Sequence, residues 1–257
     1  MPITQFLHDT LSSNVLCGVM TLAVVLLSPN PAQADDWDLL DAVLAQYVKP
    51  VQRTGIRFHG VDYEALALDP RYRQLLSQIE GSQPAALRSL DERLAFYINA
   101  YNVYAIKMVI DNMPMDSIRD AGSLFTPVWK KTVGTIAGQP VTLDQIEHAI
   151  LRSLGEPRIH FAIVCASLSC PNLRREAYRA EKLEQQLEDQ TAMFLQDDTK
   201  GVELDGSRAR FSQIFDWFEE DFDAAGGVEA FVRRYRDLPE PLRWRANLPY
   251  DWDLNRQ

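Results

Sequence analysis

Apolar residues recur along this chain mostly at spacings of three and four, the period of helices that bury one face. Residues 38–49 (DLLDAVLAQYVK) place Leu39, Leu40, Val43, Leu44 and Tyr47 on one stripe. Residues 71–79 form a second, shorter helix that Gly81 and Pro84 bring to an end. The stretch SLDERLAFYINAYNVYAIKMVIDNMP is the strongest signal. Ser89 caps it, Glu92 completes a capping box and Pro114 closes it. Residues 94–110 are apolar on nearly every face, which predicts a helix in the middle of the fold.

After that helix the period changes. Residues 132–137, the Gly138-Gln139 turn and Val141 read as a small hairpin, and TLDQIEHAILRSLG returns to the helical period. There Thr142 caps and Gln145 completes the box, while Ile146, Ala149, Ile150 and Leu154 face inward. Residues 159–165 (IHFAIVC) are a short apolar run of strand length. AEKLEQQLEDQTAMFLQD is an amphipathic helix with Leu183, Leu187 and Thr191 inward, and VELDGSRARF is a hairpin about Asp205-Gly206. Ser212 caps QIFDWFEEDF, and a last helix follows Gly227. The pattern predicts an α+β fold: a helix-rich single domain around a small, mostly antiparallel sheet.

The N-terminus stands apart from this domain. Residues 15–27 (VLCGVMTLAVVLL) are apolar but shorter than the ~20 residues a bilayer span needs. An Ala32-Gln33-Ala34 cleavage signature follows, so residues 1–34 read as a signal peptide, although no Lys or Arg leads it. The expected mature domain is 35–257, exported to the periplasm or outside the cell, with no membrane span left after cleavage. Formal net charge is −10, and the leader removes only Asp9, so the mature chain stays acidic. An acidic chain without a basic run disfavours nucleic acid as partner and leaves a small molecule or peptide. Cys17 leaves with the leader; Cys165 and Cys170 remain, in an oxidising compartment.

Candidate chemistry gathers at two places. Glu147 and His148 lie at the edge of a buried helical stripe, with Asp144 one turn back, so a carboxylate can orient the imidazole. Cys165 ends the apolar run 159–165, where an exposed thiol is well placed to react. Cys170 precedes Pro171, so it reads as the cap of a helix beginning there. The spacing of the two cysteines equally suits a disulfide, since a bend can bring their Cα atoms within the ~4.4–6.8 Å that a bridge requires. A zinc site from His148, His160, Cys165 and Cys170 is disfavoured because no C-x2-C pair exists, and no cofactor is expected. Asn99 and Asn102, one turn apart in the buried helix, need hydrogen-bond partners. His59 reads as a loop residue without a partner.

These stretches, with PRIHFAIVCASLSCPNLRREAY, FSQIFDWFEEDF and the terminal LPYDWDLN, together resemble the DUF547 family, a domain of unknown function. The resemblance runs over nearly the whole mature chain. It implies a distant relationship to papain-like or transglutaminase-like thiol enzymes, in a permuted order because His148 precedes Cys165. The family's Glu-His pair falls on Glu147 and His148, its cysteine on Cys165 and its Asn-rich helix motif on Asn99 and Asn102. Plant members are similar but carry serine at the place of Cys170, which implies that Cys165 with His148 is the working pair. Two functions follow as expectations. One is a thiol-dependent hydrolase or acyltransferase with Cys165, His148 and Glu147 as catalytic residues. The other is a non-catalytic envelope domain in which Cys165 and Cys170 are bridged or buried.

Overall fold

Two hydrophobic clusters share one helix-rich body in this computed structural model, which describes residues 37–257 apart from Leu124. The expected leader and its cleavage site lie outside the described residues. The chain opens with helix α1 (Asp38–Tyr47), then a hairpin of β1 (Val48–Arg53) and β2 (Ile56–Val61) in antiparallel register. Helices α2 (Tyr63–Leu68) and α3 (Pro70–Glu80) follow. Asp62 and Asp69 cap them through side-chain bonds to the N–H groups of Ala65 and Arg71.

The centre is α4 (Leu90–Asn112), which carries the reciprocal Ser89–Glu92 capping box that its sequence predicts. It is buried almost all round because α2 and several segments after it pack against it, and the Tyr72 hydroxyl of α3 donates to its Val103 carbonyl. Strands β3 (Thr132–Ile136) and β4 (Gln139–Thr142) form the second hairpin. The predicted Thr142–Gln145 box is present and leads into a π-helical turn, Gln145–Leu151, which holds Glu147 and His148.

The run 159–165 is not a strand. It begins as one helical turn, α5 (Ile159–Ala162), and then extends through Ile163. Its β-branched and aromatic composition reflects burial between the two clusters: Phe161 packs in one while Ile159, Ala162, Ile163 and Val164 pack in the other. Among the described residues no strand pairs with it. The Asn102 carboxamide donates to the Ala162 carbonyl at 3.0 Å and accepts from the Val164 N–H at 2.8 Å. One side chain thus supplies the partners that a neighbouring strand otherwise provides.

Helix α6 (Leu183–Leu195), the hairpin β5 (Val202–Asp205) with β6 (Arg208–Ser212), and helices α7 (Ile214–Trp217) and α8 (Val228–Val232) complete the second cluster. Strand β7 (Arg243–Leu248) joins β6 in parallel, so the strands fall into three small sheets, antiparallel except for this pair. Phe161 sits among Phe194, Phe215 and Phe231 at ring separations of 5.2, 5.8 and 5.9 Å. Among the described residues no helix is long and apolar enough to cross a membrane.

The C-terminal tail ties the two clusters together. Leu168, Ser169 and Asn255 exchange backbone bonds with Asp253, Asp251 and Ala166, and the Asn255 carbonyl then accepts from the Val61 N–H in β2. Gly201 shows how tightly the α6–β5 corner is closed, since a Cβ there would lie 1.9 Å from the Phe194 carbonyl oxygen.

Candidate functional site

Cys165 is delivered by a short piece of backbone held from three directions. Asn102 fixes the residues before it. Ala166 adopts a left-handed φ of 60°, a conformation that costs a non-glycine residue ~1–2 kcal/mol. The Asn255 N–H, donating to the Ala166 carbonyl at 3.0 Å, helps to hold it there. The turn reverses the chain and returns Cys170 to Cys165. Their Cα atoms are 6.2 Å apart and their sulfurs stand at disulfide-bonding distance. Cys170 is not a helix cap: an irregular segment follows Pro171, and the Cys170 carbonyl accepts instead from the buried Lys200 ammonium at 2.9 Å. Burial pulls the Lys200 amine down to about 8.

The disulfide opens onto a pocket of about 150 Å³ at the junction of the two clusters. Cys165, His148 and Glu147 all line it, together with Asp144 and His160. The Tyr250 hydroxyl lies 3.3 Å from both sulfurs and accepts from the Ser167 hydroxyl. Burial holds that phenol well above its ordinary pKa, so it stays a neutral donor.

The acidic residues divide their duties differently from expectation. Glu147 does not orient His148. Its carboxylate accepts from the Tyr101 hydroxyl at 3.1 Å, and burial pushes its pKa up to about 7 against the opposing effects of that bond and of Arg152. The carboxylate nearest His148 is Asp144, 4.0 Å from Nε2. On the other side Arg152 Nη1 lies 3.2 Å from His148 Nδ1. A guanidinium can only donate, so Nδ1 accepts and the proton of the neutral ring sits on Nε2, towards Asp144.

His160 carries more structure than its sequence context suggests. It is buried, its ring stacks on Phe218 at a centroid distance of 4.1 Å, and Nε2 is 2.7 Å from Asp221 Oδ2. Burial lowers its pKa, and the Asp221 bond works in the opposite sense. Burial of Asp221 is outweighed by bonds from His160 and Arg152, which hold that carboxyl well below the usual range. Sequence reasoning missed Asp221, Tyr101, Tyr250 and the tryptophans because nothing in their spacing joins them to residues 147–170. Asp221 and Trp217 lie within FSQIFDWFEEDF, and Tyr250 and Trp252 within LPYDWDLN, so those motifs were their only signal.

The two asparagines act as clamps, as one reading of the sequence has them. Asn99 repeats the Asn102 arrangement on Tyr178, donating to its carbonyl at 2.8 Å and accepting from its N–H at 2.9 Å. His59 is not a loop residue; it lies in β2, and its Nδ1 donates to the Leu173 carbonyl at 2.6 Å. Among the described residues no group of three or more His, Cys, Asp and Glu side chains is placed to hold a metal ion.

Fold and site together define an α+β domain with an aromatic-walled pocket, a cysteine pair on its lining and a perturbed carboxyl beside it. Residues 85–195 match the model of the family described as "Protein of unknown function, DUF547"; the motifs FSQIFDWFEEDF and LPYDWDLN lie outside the matched segment. The matched segment runs from the turn before α4 to the end of α6 and includes Asn99, Asn102, Glu147, His148 and Cys165; the tail that contributes Tyr250 lies beyond it. No curated protein and no solved structure matches the chain.

Proposed function

We propose that the pocket is the active site of an exported thiol-dependent hydrolase or acyltransferase whose nucleophile is Cys165. The observation that carries this reading is the convergence of Cys165, His148 and Glu147 on one pocket, with a carboxyl titrating at about 7 among them. A group of that pKa is suited to moving protons at neutral pH. A cellular dithiol first reduces the Cys165–Cys170 bridge, giving two thiols here and a disulfide on the reductant. Arg152 withdraws from His148 Nδ1, which then takes the Cys165 proton; the sulfur forms a bond to a substrate carbonyl carbon, and the leaving group departs with that proton. Water or a second acceptor releases the acyl group. Asp144 holds the His148 ring, and Glu147 serves as the second proton-handling group.

Iodoacetamide alkylation of the reduced protein, followed across pH, tests the idea. Cys165 should react faster than a model thiol at pH 6–7, and His148→Ala should remove that advantage. Alkylation at the model rate in both proteins would sink it.

A second reading, a non-catalytic binding domain, is favoured by two observations: the cysteines stand at bonding distance, and Arg152 occupies His148 Nδ1. Intact-mass measurement of the native protein with and without reductant separates the two. A quantitative disulfide that no cellular dithiol opens supports the binding domain.

A further inference from the structure

The pocket wall is built from rings that meet at an angle. Trp252 lies 5.7 Å from Trp217, 4.7 Å from Tyr250 and 6.3 Å from Trp129, with interplanar angles of 28°, 45° and 48°. Trp217 and Tyr250 are tilted by 58° at 4.9 Å. Such rings form a concave surface rather than one flat platform. Phe218 and Tyr101 extend the lining towards the carboxyls of Asp144 and Glu147, and among the described residues no Lys or Arg lines the pocket.

Guanidinium groups already sit against two of these rings. Arg119 lies over Trp252 at 5.2 Å and Arg152 over Phe218 at 5.3 Å. Arg152 is itself engaged by Asp221 and Glu220, so its charge is largely compensated. His160 is held towards neutrality by burial. The lining therefore combines negative ring faces with two carboxyls in a space of about 150 Å³, with the Arg119 guanidinium set against the Trp252 ring. A cavity of that size holds a group about as large as benzene.

We infer that this pocket takes a compact organic cation, a protonated amine or quaternary ammonium head group, seated between Trp217, Tyr250 and Trp252 with Asp144 and Glu147 as counter-charges. The inference rests on the reading of this pocket as the functional site, and it holds for either state of the cysteines. On the enzyme reading, the substrate is an acyl compound with a cationic group close to the scissile carbonyl. A cation gains from the ring faces and from the carboxyls together, whereas a neutral group of the same shape gains only apolar contact.

The test titrates the oxidised full chain at pH 8 with choline, n-propylammonium, the neutral choline isostere 3,3-dimethylbutan-1-ol, and glucose. Tryptophan fluorescence and calorimetry read the binding. Choline and propylammonium should bind at least about tenfold more tightly than the neutral isostere, the size of one well-desolvated cation–ring contact. That preference should fall several-fold in Asp144→Asn and in Trp217→Leu, which keeps apolar bulk at a half-exposed position while removing the ring. Equal binding of choline and its isostere, glucose binding in place of the cations, or no cation binding up to roughly 50 mM would each overturn the inference. Fast His148-dependent alkylation without cation binding retains the thiol enzyme and removes this ligand class. Cation-selective binding beside an inert thiol does the reverse.

Discussion

Glu147→Gln should make this protein more stable at pH 8 and leave it unchanged near pH 4. The Glu147 carboxyl titrates at about 7 in the folded chain against an ordinary 4.5, chiefly because burial disfavours its charge. Below pH 4.5 the group is protonated in both folded and unfolded chains and has no effect. Between 4.5 and 7 the folded chain binds more protons than the unfolded one, so stability falls as pH rises. Above 7 the full penalty applies. At ~1.4 kcal/mol for each tenfold in the ionisation constant, the ceiling is ~3 kcal/mol. The carboxyl keeps some contact with solvent through the pocket, which reduces the expected value to ~1–2 kcal/mol. Glutamine keeps an acceptor for the Tyr101 hydroxyl and has no charge to bury. For a domain of this size the gain corresponds to ~2–8 °C in Tm. Calorimetric melts of both proteins at pH 4 and pH 8 measure it, and the other titrating groups cancel in the difference. A gain of equal size at both pH values, or a loss at pH 8, would refute the reasoning.

Other perturbations probe the supports of the site. Asn102→Ala leaves the Ala162 carbonyl and the Val164 N–H buried without partners, which should cost ~2–4 kcal/mol in urea unfolding. Reduction of the Cys165–Cys170 bridge, which closes a loop with a sequence separation of 5, should lower stability by ~2 kcal/mol, read as a fall in Tm of ~4–8 °C. An unchanged Tm after complete reduction, verified by mass, would contradict a closed bridge. Asp221→Asn removes the anion that props up the basicity of His160, so the imidazole pKa followed by NMR should move further below its ordinary value. Gly201→Ala, by driving a methyl group into the Phe194 carbonyl, should abolish folding or cost more than ~3 kcal/mol even though it lies away from the pocket.

How much of this was legible in the sequence depends on whether a residue's partners are local. The capping boxes at Ser89–Glu92 and Thr142–Gln145 are written within four residues, and both are present. The hairpin about Asp205-Gly206 is legible for the same reason. The β1–β2 hairpin escaped because its turn residues, Thr54 and Gly55, stand among polar neighbours, and Pro50 reads as a break. The run 159–165 misled because strong burial from both sides gives the composition of a central strand. Only the distant Asn102 reveals that a side chain satisfies this backbone. Cys165 and Glu147 were readable as polar or reactive groups at the ends of apolar patterns. Their neighbours Tyr101 and Tyr250 were not, because they lie 46 residues from Glu147 and 85 from Cys165 along the chain.

This division bears on which residues matter. The pocket draws on five stretches of chain: α4, the turn that carries Trp129, the π-helical turn with the segment through the Cys165–Cys170 loop, the α7 region and the C-terminal tail. The tail contributes Tyr250 and Trp252 to the lining, and its backbone holds the left-handed turn at Ala166 that follows Cys165. A tail required only for packing would need neither two half-buried rings on the pocket lining nor a phenol whose hydroxyl lies 3.3 Å from both sulfurs. The same residues that close the fold at its C-terminus therefore complete the wall that faces the sulfurs. A change at Tyr250 should accordingly alter the environment of Cys165 even where the helical body around α4 is untouched.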